Sequence, residues 1–324
     1  MHFSIVHRAL GILIIVAALV FTASLSDAKY PERPINVIIA WGAGGAPDTA
    51  VRIIGEDIQK KFGTTLINIP KPGGGGAPST LDLIKARPDG YTFCMTSLSV
   101  LAVLPQVADC GFTINDFQTV AQTHLVPQAI SVATKSGIRT FQEFIQKAKV
   151  EPGKYTIASF GPLSGQRLFL ALCFDKLGVD IPYISYDTVS ALSAAMLKGE
   201  VTASLMITNN HLPFVQSGEF TLLAVTTPKR LPEYPDVPTT VELIGPEFSN
   251  YAAYGIIAPK KTPKDRIEAF QAQLKAALED PSLKARFEQM QMPAAFAPAE
   301  AYKERLDQYY EMFGKAVNLL KIKK

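Results

Sequence analysis

A chain of 324 residues, 48% of them apolar, is long enough for two domains of ordinary size with packed cores. Its formal charge of +3 is small and evenly spread, which excludes a nucleic-acid surface built on bulk positive potential. The short Lys321-Ile322-Lys323-Lys324 tail reads as a solvated terminus.

His7 and Arg8 precede an apolar run from Ala9 to Phe21, and Ser26-Asp27-Ala28 follows as a small-residue cleavage site. This is the layout of a secretory signal peptide over residues 1–28, too short for a membrane span of about 20 residues. Its removal takes away Arg8 and Asp27, so the charge stays at +3. The chain is therefore expected to be exported.

Val37 to Ala40 predicts a buried strand. Trp41-Gly42-Ala43-Gly44-Gly45 is a glycine-rich turn, and Pro47 and Asp48 open a helix running to about Phe62. Gly44 and Gly45 let a ligand approach the backbone, and Asp48 and Thr49 place acceptors at the first turn. Thr65–Ile69 reads as a second strand. The glycine loop Pro70 to Pro78 follows, then a helix over about 79–86, a turn at Arg87-Pro88-Asp89-Gly90, and a third strand over 91–97 with a Ser/Thr tip at Thr96 to Ser99. The β-α-β-α-β rhythm predicts a parallel sheet, whose ligands sit at the carboxyl ends of the strands.

Phe117 to Ala133 is a long extended run, suited to a strand passing from one domain to the next. A second α/β rhythm follows: a helix over 141–149, a strand over 155–159, the turn Ser159 to Gly165, and a helix over 166–177. After these come a strand over 182–186, a helix over 190–198, and strands over 203–208 and 220–226. Residues 228–246 read as linker and loop. A strand over 254–258, an amphipathic helix over 264–279 and a long helix over 299–320 return to the first domain. The expected division is 29–127 plus 228–324 for one domain and 128–227 for the other, a hinge-closing geometry.

The chain has no G-x-S-x-G and no Walker A motif, and Pro47 stands at the third glycine of a would-be dinucleotide fingerprint. Beyond the signal region only His124 and His211 remain, far apart, and neither a metal site nor a cofactor is expected. Three cysteines, Cys94, Cys110 and Cys173, allow at most one intrachain bridge, and Cys94–Cys110 stays open as a pairing. The three Gly/Ser turns before helices suit a small anion, through free N–H groups and the positive ends of helix dipoles.

Several segments taken in order resemble one family. They are Tyr30-Pro31-Glu32-Arg33-Pro34-Ile35, the first glycine loop closed by Asp48, Pro72 to Gly76, Pro88-Asp89-Gly90-Tyr91-Thr92, Leu223 to Thr227, Pro235-Asp236-Val237-Pro238-Thr239 and Ala258 to Pro263. Together they are similar to the Bug (TctC-like) family of extracytoplasmic solute receptors of tripartite tricarboxylate transporters. The resemblance implies an α/β fold of the type II periplasmic binding-protein kind, a Venus flytrap of two domains. It implies a non-catalytic receptor, expected as a monomer, with a small organic carboxylate between its domains and a membrane permease as partner.

The positions it implies for ligand binding are Trp41, Gly44, Gly45 and Asp48, then Thr96 and Ser97, then Ser159, Gly161 and Ser164. The chain departs from the family pattern at Ala40-Trp41, at Arg167 where a histidine is usual, and at Leu205-Met206-Ile207 where an acid is frequent. Arg167 is therefore expected to pair with a ligand carboxylate. Two other readings stay open: a protein that signals its ligand state to a membrane sensor, and an exported α/β hydrolase.

Overall fold

The computed structural model describes residues 30–161 and 163–322. The expected signal peptide over residues 1–28 lies outside the described residues.

The first unit opens with β1 (Ile35–Ile39), α1 (Ala46–Phe62), β2 (Leu66–Pro70), α2 (Ala77–Lys85), β3 (Thr92–Ser97) and α3 (Leu98–Val107). β2, β1 and β3 are parallel neighbours, as the alternation of strands and helices predicts. The glycine loop before α2 holds Gly73 to Gly76 at positive φ. A Cβ on Gly76 would lie 2.9 Å from Val100 Cγ1, so this loop is glycine-rich to let α3 pack on it.

β4 (Phe117–Ala133) then serves both units. Its first eleven residues pair with a later strand of the first sheet, and Gln128 onward pairs with strands of the second. The change of sheet falls at Pro127–Gln128, where proline has no N–H to donate. The second unit comprises α4 (Phe141–Val150), β5 (Ile157–Phe160), α5 (Gly165–Leu177), β6 (Tyr183–Tyr186), α6 (Val189–Lys198), β7 (Ala203–Ile207), α7 (Thr208–Gln216) and β8 (Phe220–Val225). Its sheet runs β8-β4-β7-β5-β6.

The segment after β8, expected as linker, packs on this second sheet. Leu231, Tyr234 and Val237 cover Ala129, Leu222 and Val225. Leu243 and Ile244, at the end of α8 (Thr240–Leu243), join the core around Phe144 and Phe174. The chain returns to the first unit at Asn250, where Asn250 N–H donates to Thr226 O at 2.7 Å and Thr226 N–H to Gln128 O at 2.9 Å. These bonds tie both passages of the chain together at one place.

β9 (Tyr251–Pro259), α9 (Lys264–Leu278), α10 (Pro281–Gln289), β10 (Ala294–Pro298) and α11 (Ala299–Leu319) complete the first unit. β9 lies between β3 and β4, antiparallel to both, and β10 adds to β4. α1, α9 and α10 cover one face around Ile54, Phe93 and Phe270. α2, α3 and α11 cover the other around Leu101, Tyr302 and Phe313.

Two elements that follow strand ends, α3 after β3 and α7 after β7, are not predicted from sequence. α3 is apolar on nearly every side, which removes the stripe that marks a surface helix. α3 and α7 also carry Pro105 and Pro213 inside, which reads as a break. All three cysteines are free thiols, with Cys94 and Cys173 buried, so the open Cys94–Cys110 pairing is not formed.

Candidate functional site

The first glycine loop is held from below by Asp48. Asp48 is wholly buried. Its Oδ2 accepts the Gly44 N–H at 2.9 Å and Arg52 Nε at 3.0 Å, and its Oδ1 accepts Asn68 Nδ2 at 2.8 Å. Burial alone raises the carboxyl, but these bonds outweigh it and hold it below the usual carboxylate range. Asp48 therefore braces the loop, and its acceptor capacity is spent inside the chain. Gly44 sits at φ 78°, a conformation that favours glycine, and a Cβ there would meet nothing within 4 Å. The space beside the loop is open. Gly45 caps α1 with no side-chain bond to its first turn.

Trp41 is half-buried at the carboxyl end of β1. Its ring meets that of Tyr254 edge-on, centroids 5.4 Å apart at 63°. Tyr254 in turn stacks on His124 at 4.6 Å and 9°, and His124 meets Phe287 edge-on at 5.8 Å. His124 is fully buried, which lowers its pKa to about 3, so this stack carries no charge near neutrality. Thr96 and Ser97 end β3. Ser97 Oγ caps α3 by accepting the Val100 N–H at 3.2 Å. Thr96 Oγ1 is buried and has no hydrogen-bond partner among the described residues.

On the second unit, Ser159 Oγ donates to Leu205 O at 2.6 Å, and Ser164 Oγ caps α5 by accepting the Arg167 N–H at 3.3 Å. Gly161, at φ 68°, accepts the Tyr183 hydroxyl on its carbonyl at 2.9 Å. The Arg167 guanidinium lies over the Tyr183 ring, 5.3 Å from its centroid. With Phe174, Tyr183 and Leu320 it lines a cavity of about 360 Å³ beside the end of α11. A larger cavity of about 530 Å³ lies at the seam of α5 and α11, lined by Leu172, Lys176, Phe248, Tyr309 and Met312 among others.

The two units touch along α5, which packs on α11 through Leu168 beside Tyr309 and Phe313. A Cβ on Gly165 would lie 2.8 Å from Ser99 Oγ, so the first turns of α5 and α3 also abut. Elsewhere Asn209 Nδ2 donates to Met290 O at 3.3 Å, and Ile207 packs on the core of the first unit. The structure thus adds Tyr254, Ile207 and Asn209 to the residues expected from sequence. Asn209 carries a local signal: Thr208-Asn209-Asn210 has the composition of a helix start. α7 begins at Ile207 with no side-chain cap. Tyr254 has no such signal, because only strand pairing sets it beside Trp41.

A serine–histidine contact lies inside the second unit. His211 Nε2 lies 3.2 Å from Ser131 Oγ and 3.4 Å from Ser204 Oγ. All three residues are fully buried, and His211 Nδ1 has no hydrogen-bond partner to orient the ring. This is a polar knot within the second core, closed to substrate. Among the described residues, no group of three His, Cys, Asp or Glu side chains could hold a metal ion.

The model of the "Tripartite tricarboxylate transporter family receptor" (TctC) family matches residues 50–311. A UPF0065 protein of Bordetella bronchiseptica is 30% identical over 260 residues, which span 80% of this chain and 77% of that protein. A TctC solute binding protein from Polaromonas is 26% identical and superposes with a TM-score of 0.78, over 89% of this chain and 99% of that one. An R. palustris protein solved with adipate superposes with a TM-score of 0.76 over 90% of this chain and 99% of its own. At 21% identity, that likeness is one of fold.

Proposed function

The chain belongs to the tripartite tricarboxylate transporter receptor family, and from that membership we propose that it takes a small organic carboxylate between its two units in the periplasm and delivers it to a membrane permease. Its fold is that of the two-domain, type II periplasmic solute-binding proteins. No described helix is long and apolar enough to cross a membrane.

The observation that carries this reading is a pair of helix starts. α1 at Gly45 and α7 at Ile207 belong to opposite units, border the same core, and have no side chain closing their first turns. Their N–H groups and dipole ends favour an anion placed between them. In this reading Trp41, Gly44 and Gly45 form the first jaw, and Asp48 holds it in shape. Thr96 supplies a buried hydroxyl in need of a partner. Ser97, Ser159, Gly161 and Ser164 shape the far walls, and Ser97 keeps a hydroxyl proton to donate. Arg167 contributes positive potential from the side of Tyr183. The division that fits the packing places the return crossing at about residue 250, with 228–249 on the second unit. The protein is non-catalytic: it works by a ligand-driven shift toward the closed form.

Thermal-shift and calorimetric titration of the exported chain with a panel of organic acids tests the binding. A cognate acid at about 100 times its Kd adds roughly 2.7 kcal/mol of stability. No heat and no melting shift with any acid in the panel would remove the proposal. Delivery to a permease adds a second test: cells lacking this chain lose uptake of the acid that binds it.

A further inference from the structure

From the aromatic stack behind the first loop, and resting on the carboxylate-receptor reading above, we infer that the preferred ligand is a monocarboxylate with a planar aromatic ring. The ring lies against Trp41, Tyr254 and Ile207.

Trp41, Tyr254 and Ile207 are each half-buried, pack on the same core, and keep part of their surface open. Trp41 is held edge-on by Tyr254, which is held face-on by His124, which is held edge-on by Phe287. Four rings packed in series leave Trp41 little rotational freedom. A ligand ring stacking on it therefore has little ordering to impose. The backing is neutral, since burial keeps His124 uncharged at physiological pH. Ile207 packs on the same core from the second unit, at the strand end where Leu205-Met206-Ile207 carries no acid.

The charges around the loops point the same way. Arg52 is bound to Asp48 and Lys71 to Asp82. The first jaw thus offers main-chain N–H groups for one carboxylate and an apolar, aromatic wall for the rest of the molecule. A second carboxylate against that wall would lose its hydration without gaining a cation. A ring would instead displace water from apolar surface and gain offset or edge contacts with Trp41.

The test titrates the exported chain with benzoate, hexanoate and adipate, read by calorimetry and by the fluorescence of Trp41, the chain's one tryptophan. The expected result is benzoate binding at least tenfold tighter than either aliphatic acid, with a change in Trp41 emission. In Trp41→Leu the benzoate preference falls to within about threefold, and in Trp41→Phe most of it is kept. Melting curves of both variants establish that they fold. Tight binding of adipate or hexanoate with no advantage for benzoate overturns the inference and leaves the receptor reading standing. A benzoate preference unchanged in a folded Trp41→Leu also overturns it, because the ring then lies elsewhere. No binding of any acid removes the receptor reading and this inference together.

Discussion

The Asp48 carboxylate accepts the Gly44 N–H across one turn of chain, 2.9 Å away, and so converts a glycine-rich loop into a fixed rim. Asp48→Ala removes three donors' common acceptor inside a buried site. The expected loss is about 2–3 kcal/mol of stability, the scale of hydrogen bonds to a charged group. Little of it comes from Arg52, whose exposed side chain is screened by water. Urea denaturation of the variant checks this. The pH sign follows from the lowered folded-state pKa of Asp48. Its stabilisation is complete above the unfolded carboxyl value of about 4 and fades as pH falls through the lower folded value.

His124 and His211 set a larger acid dependence. Both are fully buried, and burial lowers both to about 3. Unfolding lets each take up a proton below its ordinary value of about 6.5. Their contribution is therefore complete above pH 6.5 and is lost as pH falls toward 3. Each adds a slope approaching about 1.4 kcal/mol per pH unit in that window. Urea midpoints measured at pH 7.5, 6, 5 and 4.5 should decline with growing steepness below 6.5. Constant midpoints across the series would show that the two rings are hydrated in the folded state.

Gly255 is where β9 passes beneath Tyr302. A Cβ there would lie 2.4 Å from the Tyr302 ring and 2.6 Å from the Ala121 carbonyl oxygen. One of these neighbours is backbone and the other a wholly buried ring, so neither can yield cheaply. Gly255→Ala should cost about 2 kcal/mol or more by overpacking. The far-ultraviolet spectrum should change little, since the strand pairing remains. A melting temperature equal to that of the parent would contradict the packing.

The thiols report burial directly. Cys94 and Cys173 are buried, and burial pushes both well above the ordinary thiol range. Cys110 is partly exposed, with Sγ 3.4 Å from the Phe112 carbonyl oxygen. An aromatic disulfide reagent at pH 8 should therefore modify one thiol in the native protein and three in guanidinium. Fewer than three in guanidinium would reveal a bridge.

Much of the fold is legible along the chain because its signals are local. The 17-residue run Phe117–Ala133 is a crossing strand by length and apolarity alone, and the structure gives it those same bounds. α1 follows from Pro47 and Asp48 at its start, and α11 from Tyr302, Leu306, Tyr309 and Phe313. α3 and α7 are not legible, because α3 is apolar on nearly every side and so carries no stripe, and the proline inside each helix imitates a break. The connection 228–248 is polar and proline-rich, so composition cannot say which core its few apolar residues cover.

The site divides in the same way. By itself the sequence determined that a glycine turn follows β1, that helices start beside the strand ends, and that no nucleophile motif is present, since each is a property of neighbouring residues. Only the tertiary structure decided what those groups do. Asn68 reaches Asp48 through the pairing of β1 and β2, Tyr254 reaches Trp41 through the sheet, and Asn209 reaches Met290 across the units. It also decided that Ser97, Ser159 and Ser164 turn their oxygens to helix starts and a strand carbonyl. A hydroxyl or carboxylate in a sequence shows its capacity for hydrogen bonds. Which partner takes it up depends on groups that folding brings near from far along the chain.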